Sequence, residues 1–168
     1  PTVGHALAGV PDWLAGVLVG QFGLDRIHER LHVIGAYVRR QHPAAPLGGD
    51  EQYAISPDGQ RVVFSLRIAG RTEPWSTNFD LYEAPVDGSR APVNLTAANP
   101  AWDTRPVFLA NGDLACLAMD RPGFEADRLQ IVVRSAKRGT VKSLTAGWDR
   151  SLSSLGISRD GKRLLATA

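Results

Sequence analysis

Apolar residues in this 168-residue chain follow two different spacings, and the change between them divides the sequence. Trp13, Leu14, Val17, Leu18 and Phe22 recur at three and four residues, the spacing of one helical face, with Asp12 placed as a cap. A second segment begins at Asp25 and sets Ile27, Leu31, Ile34, Tyr37 and Val38 on one side, with Arg30, Arg39 and Arg40 elsewhere. Gly20 and Gly23 interrupt the pattern, and Pro43, Pro46 and Gly48-Gly49 end any helix. Residues 1–46 are thus predicted as a helical segment and linker.

From Tyr53 the period shortens to two, with turn residues between short runs. Tyr53-Ala54-Ile55 leads into Ser56-Pro57-Asp58-Gly59 and then Arg61-Val62-Val63-Phe64-Ser65. Proline presets the first turn torsion and Asp-Gly supplies the reversal, which predicts a hairpin. Further strands are predicted over 79–83, 93–95, 106–108, 113–118, 129–134, 141–144, 155–158 and 163–167.

Three markers recur in the same order. Asp58-Gly59 returns as Asn111-Gly112 and Asp160-Gly161, Leu95-Thr96-Ala97 as Leu144-Thr145-Ala146, and Trp102-Asp103 as Trp148-Asp149, at separations of 46 to 53 residues. That period is the size of a propeller blade. Each unit reads as a hairpin, a third strand and a fourth strand ending at Leu-Thr, with Leu95 and Leu144 expected in the inner packing layer. The fold class predicted is mainly β: a partial β-propeller of about two and a half blades over 47–168, preceded by the helical segment.

These residues carry a resemblance. Ser56-Pro57-Asp58-Gly59-Gln60-Arg61-Val62-Val63-Phe64 resembles the hairpin of TolB-type propeller repeats. The segments Glu73-Pro74-Trp75-Ser76-Thr77-Asn78-Phe79-Asp80-Leu81-Tyr82, Asn94-Leu95-Thr96-Ala97-Ala98-Asn99-Pro100-Ala101-Trp102-Asp103 and Asp120-Arg121-Pro122-Gly123-Phe124-Glu125-Ala126-Asp127-Arg128 resemble bacterial dipeptidyl and acylaminoacyl peptidases of the prolyl oligopeptidase family. The resemblance starts near Pro43 and covers about three quarters of the chain. It implies a propeller that gates an α/β-hydrolase domain and helps position peptide N-termini. The hydrolase domain and its Ser-Asp-His triad are not in this sequence, so the chain alone is expected to be inactive, as a fragment that begins at Pro1.

Composition narrows the partners. The 19 basic and 17 acidic side chains nearly cancel and are interspersed, so neither nucleic acid nor an anionic membrane is expected as a partner. No apolar run reaches the roughly 20 residues of a membrane-crossing helix, and the expected setting is soluble, periplasmic or cytoplasmic. Cys116, the single cysteine, excludes an intrachain disulfide and reads as a small buried hydrophobe. No cofactor is expected. Peptide, through the hydrolase domain, and a second copy, through exposed blade edges, are the partners the reading implies.

Candidate chemistry lies in three places. Gly156-Ile157-Ser158-Arg159-Asp160 is the nearest match to a nucleophile elbow, but it lacks the last glycine and falls in a blade hairpin. His28-Glu29-Arg30-Leu31-His32 is a literal zinc-hydrolase motif, in which His28 and His32 would ligate metal and Glu29 would act as base. Arg30 opposes it, placing a cation beside the metal position. Glu125 and Arg128 are the candidate substrate-binding residues, Glu125 as a carboxylate for a peptide's α-ammonium. The competing reading is a structural clasp of Glu125 with Arg128 or Arg121. Trp75, Trp102 and Trp148 read first as blade packing.

Overall fold

The computed structural model describes residues 52–67 and 75–168; the helical segment and His28-Glu29-x-x-His32 lie outside them. Ten strands occur among the described residues. β1 (Tyr53–Ile55), β2 (Arg61–Leu66), β3 (Asp80–Pro85) and β4 (Val93–Asn94) form one antiparallel sheet in chain order. β5 (Asp103–Phe108), β6 (Leu114–Ala118), β7 (Gln130–Arg134) and β8 (Val141–Ser143) form the second, and β9 (Ser154–Ile157) pairs with β10 (Leu164–Thr167). These are successive blades, two of four strands and one of two. β5 lies against β1 on one side and β9 on the other, so the first strands of the blades form the inner ring.

The hairpin turns follow from their residues. Gly59, Gly112 and Gly161 all have positive φ, at 70°, 85° and 68°, where a β-carbon would be strained. In the first turn Ser56 Oγ donates to Asp58 Oδ1 at 2.5 Å, and Asp58 Oδ1 accepts from the Gln60 amide at 3.0 Å. The third turn repeats this with Ser158 to Asp160 at 2.6 Å and the Lys162 amide to Asp160 at 3.1 Å. In the second turn Leu109 replaces the serine and removes its hydroxyl bond, while Asn111 Oδ1 accepts from the Asp113 amide at 3.0 Å as the two aspartates accept from theirs. Its loop is one residue shorter: Leu109 closes on Asp113 where Ser56 closes on Arg61.

The Leu-Thr marker has a defined task. Thr96 Oγ1 accepts from the Leu81 amide and Thr145 Oγ1 from the Ile131 amide, both at 2.9 Å. The threonine hydroxyl thus continues the ladder between third and fourth strands after β4 and β8 end. Val63, Leu81, Phe108, Leu114 and Cys116, with Leu95 and Val132, fill the first blade-to-blade junction. Leu117, Ile131 and Leu152, with Leu155 and Leu164, fill the second. Burying one such leucine contributes about 1.5–3 kcal/mol.

Three expectations need correction. The Trp-Asp pairs are not structural equivalents. The Asn99 amide donates to Thr96 O and the Trp148 amide to Thr145 O, so Trp148 occupies the place of Asn99. Likewise the Asp103 amide donates to Phe79 O and the Leu152 amide to Leu129 O, so Leu152 replaces Asp103. Second, Leu144 is 50% exposed, because β7 residues Val132 and Arg134 cover the Leu95 side while no third-blade strand of that kind stands over Leu144 among the described residues. Third, of the three tryptophans among the described residues only Trp102 is in a ring stack, on Phe79 with centroids 4.9 Å apart; Trp75 is 74% exposed and Trp148 half-exposed.

Candidate functional site

Two kinds of loop emerge at opposite ends of a blade. The glycine hairpins mark one end. The other carries the connections from second to third strand, residues 119–129 in the second blade, and the start of β5, since Asp103 pairs with Ala118 at that end. Every described residue singled out for binding lies on this second face.

The loop 119–129 is held from inside. Asp127, buried, accepts through Oδ2 from the Asp120 and Arg121 amides at 3.0 and 2.8 Å and through Oδ1 from Arg121 Nε at 2.8 Å. Arg121 Nη2 completes the ion pair at 2.7 Å and the guanidinium stacks over Phe124 at 4.2 Å. Burial pushes the Asp127 pKa up, but the Arg121 side chain and the loop amides prevail and hold it well below the usual carboxylate range. The Gly123 amide donates to Thr77 Oγ1 at 2.9 Å, which fastens the loop to the first blade.

The clasp is therefore Arg121 with Asp127, not Arg121 or Arg128 with Glu125. Arg128 donates to the carbonyls of Thr145 and Ala146 at 3.4 and 2.9 Å, tying the loop to the end of β8. Glu125 is exposed on the loop and has no hydrogen bond or ion pair with a described residue. Trp75 and Phe124, both exposed, belong to the same connected loops, because the Trp75 carbonyl lies 3.6 Å from where a Gly123 β-carbon would stand. The sequence offered two arginines and three carboxylates within nine residues, and pattern alone did not pair them.

Below the loop, at the first junction, lies a group that sequence reading missed. Asp103 is 2% exposed; its Oδ1 accepts from Asn99 Nδ2 at 3.1 Å, while Oδ2 is buried without a partner. Asp80, also buried, accepts from Thr96 Oγ1 at 3.3 Å and Asn78 Nδ2 at 3.4 Å. Burial above all, with Asp80 adding its charge against the Asn99 and Thr96 hydrogen bonds, pushes the Asp103 pKa up to about 7. The signal available was the polar pair Asn99…Asp103 set inside an otherwise apolar blade start.

The nucleophile candidates are otherwise engaged. Ser158 Oγ donates to Asp160 and accepts from the Arg163 amide at 2.9 Å, as Ser56 does in its own turn. Cys116 is buried, which pushes its thiol pKa up and away from thiolate. Among the described residues no three His, Cys, Asp or Glu side chains gather as a metal site. What this face presents is a fastened loop with a free carboxylate and exposed aromatic rings, an arrangement suited to binding.

Comparison with known proteins places the chain. No family model matches it. Dipeptidyl-peptidase 5 of Aspergillus fumigatus is 30% identical over 156 residues, covering 87% of this chain and 22% of that protein. A probable dipeptidyl-peptidase 5 of Emericella nidulans is 31% identical over 122 residues, covering 68% and 17%, and dipeptidyl-peptidase 5 of Arthroderma otae is 29% identical over 140 residues, covering 76% and 19%. The chain spans about a fifth of the length of the curated relatives it matches. An 87% match also reaches N-terminal of Pro43, farther than the resemblance read from sequence. The crystal structure of TolB from Acinetobacter baumannii aligns with a TM-score of 0.52 at 21% identity, over 70% of this chain and 26% of that one. The chain is thus mainly β with a TolB-like propeller fold, and is related to part of the dipeptidyl-peptidase 5 proteins.

Proposed function

We propose that these blades are the gating and substrate-positioning propeller portion of a prolyl-oligopeptidase-type serine exopeptidase acting on peptide N-termini, with catalysis carried by an α/β-hydrolase domain in the same polypeptide. The observation that carries this reading is the relationship to dipeptidyl-peptidase 5 proteins across most of the chain, together with blades that fold as repeats. Glu125 would pair with a peptide's α-ammonium, and Arg128 would act through the loop it fastens rather than by touching the peptide. A carboxylate held on a fastened loop loses little conformational freedom when it binds.

The test is the coding sequence on both sides of residues 1–168. An in-frame nucleophile elbow followed by Asp and His supports the peptidase. Further blades without an elbow favour a TolB-type interaction module instead and overturn this reading. For the chain itself, dipeptidyl chromogenic substrates should turn over at background rates and a fluorophosphonate probe should leave every serine unlabelled. In the enzyme that contains it, Glu125→Gln should raise KM for peptides with a free N-terminus by about tenfold and leave N-blocked ester hydrolysis unchanged, as expected for one lost charged hydrogen bond.

A further inference from the structure

Arg105 combines two features that no other described residue shares. It is the one non-glycine with positive φ, 51°, at the point where the β5–β6 register shifts between Thr104 and Val107. Asparagine and aspartate tolerate this region through local hydrogen bonds, but arginine gains none. Pro106, fully buried, follows directly, and a residue before proline is driven further toward extended backbone. The conformation is held against its own preference by the surrounding blade.

The guanidinium supplies the second feature. Every other partly buried arginine among the described residues has a partner: Arg61 with Glu83, Arg67 with the Ser76 carbonyl, Arg128 with two carbonyls and Arg134 with the Leu95 carbonyl. The Arg105 guanidinium, also partly buried, makes no hydrogen bond, ion pair or ring contact with a described residue. A β-bulge re-aims one side chain, and β9 pairs with β10 over Ser154–Ile157 without such a register shift. Ser154, at the corresponding place in β9, lies in register with Thr167 and accepts from its amide through Oγ at 3.2 Å. Arg105 also lies on an inner-ring strand, two residues from Asp103 and so toward the face that carries loop 119–129.

We propose that Arg105 is a binding residue for a peptide carboxylate, that of an acidic side chain, at the mouth of the inner ring. The planar guanidinium fork matches a carboxylate bidentately, and a strained, unpartnered position is retained where it serves a ligand. The anion preference rests on this geometry alone; that the carboxylate belongs to a peptide rests on the function proposed above.

The experiment titrates the chain with acetyl-Ala-Glu-Ala-amide and acetyl-Ala-Gln-Ala-amide by calorimetry, with inorganic phosphate as competitor, and melts each variant. The blocked termini keep the measurement independent of Glu125. The parent should prefer the glutamate peptide by roughly tenfold. Arg105→Lys should keep part of that preference. Arg105→Asn, which tolerates the backbone, and Arg105→Gly should lose it, and Arg105→Gly should melt higher by about 2–8 °C as strain is released. No preference in the parent, an unchanged preference in the glycine and asparagine variants, or a glycine variant that melts lower would each overturn the proposal. Phosphate that displaces the peptide at equal concentration marks an unselective anion site and overturns the peptide assignment. If Arg105-dependent binding persists although no hydrolase domain is encoded, the peptidase reading fails and this one stands.

Discussion

The two blade junctions share a backbone and differ in what they bury. At each, a residue opening the next blade donates its amide to a carbonyl at the start of the previous blade's third strand: Asp103 to Phe79 at 2.8 Å and Leu152 to Leu129 at 3.0 Å. The first junction then encloses Asp103 beside Asp80, whereas the second encloses Leu152 against Leu117 and Ile131. The repeat therefore fixes main-chain hydrogen bonds and leaves side-chain chemistry open. Buried carboxylates in one of two equivalent slots add nothing that leucine does not supply for packing, so their cost belongs to the polar junction alone.

The largest effect should come from the apolar slots. Leu81→Ala at the first junction and Leu152→Ala at the second should each lower stability by about 2–5 kcal/mol, since both side chains are fully buried. Urea unfolding midpoints measure this, and a loss at only one junction would show that the blades do not share a core layer.

Next comes pH. The folded pKa of Asp103, about 7, lies above the unfolded carboxylate value, so the folded chain holds a proton that the unfolded chain releases. Stability is then undiminished below pH about 4, falls as pH rises between about 4 and 7, and is flat above, a total of roughly 2–4 kcal/mol. Asp103→Asn should remove this slope. Asp58, Asp127 and Asp160, whose pKa values are lowered, act below that window with the opposite sign. A profile that rises from pH 4 to 7 would sink the assignment.

The hairpin turns separate more finely. Gly59→Val should lower stability by about 1–3 kcal/mol through backbone strain. The repeat alone suggests a smaller effect at Gly161, in the terminal hairpin. Yet a β-carbon there would stand 2.8 Å from Ala110 Cβ, and the Ala110 amide donates to Gly161 O at 3.2 Å. Gly161→Val should therefore cost more than backbone strain alone, and Ala110→Gly should recover part of that excess in a double-mutant cycle. The smallest effect belongs to Leu144→Ala, within about 0.5 kcal/mol, against a clear loss for Leu95→Ala, because identical Leu-Thr-Ala strings meet different cover.

These contrasts also mark how far the sequence was legible. All ten strands of the described residues and the three hairpin turns at Gly59, Gly112 and Gly161 were readable from alternation and Asp-Gly or Asn-Gly pairs, because those signals are local. β5 begins three residues before its predicted start, because the bulge at Arg105-Pro106 breaks the alternation. The Trp148-Asp149 match misled because the dipeptide lies in the turn after Thr145, and register there is set by the turn's hydrogen bond, not by residue identity. At the candidate site, pattern singled out Glu125 and Arg128 as candidates but did not pair Asp127 with Arg121, since pairing within a loop is decided by which carboxylate is turned inward. The Asp80–Asp103 approach joins separate blades and has no local signature.

Strand order in every sheet follows chain order, and this has a consequence for synthesis. Each strand finds its partner in the segment emitted just before it, so loop closure stays short and a blade can form while the ribosome is still adding residues. The junction is different: Val63 and Leu81 acquire their cover only when Phe108, Leu114 and Cys116 arrive. Between those moments the first blade is a finished sheet with one bare apolar side, and the growing polypeptide is its nearest source of cover.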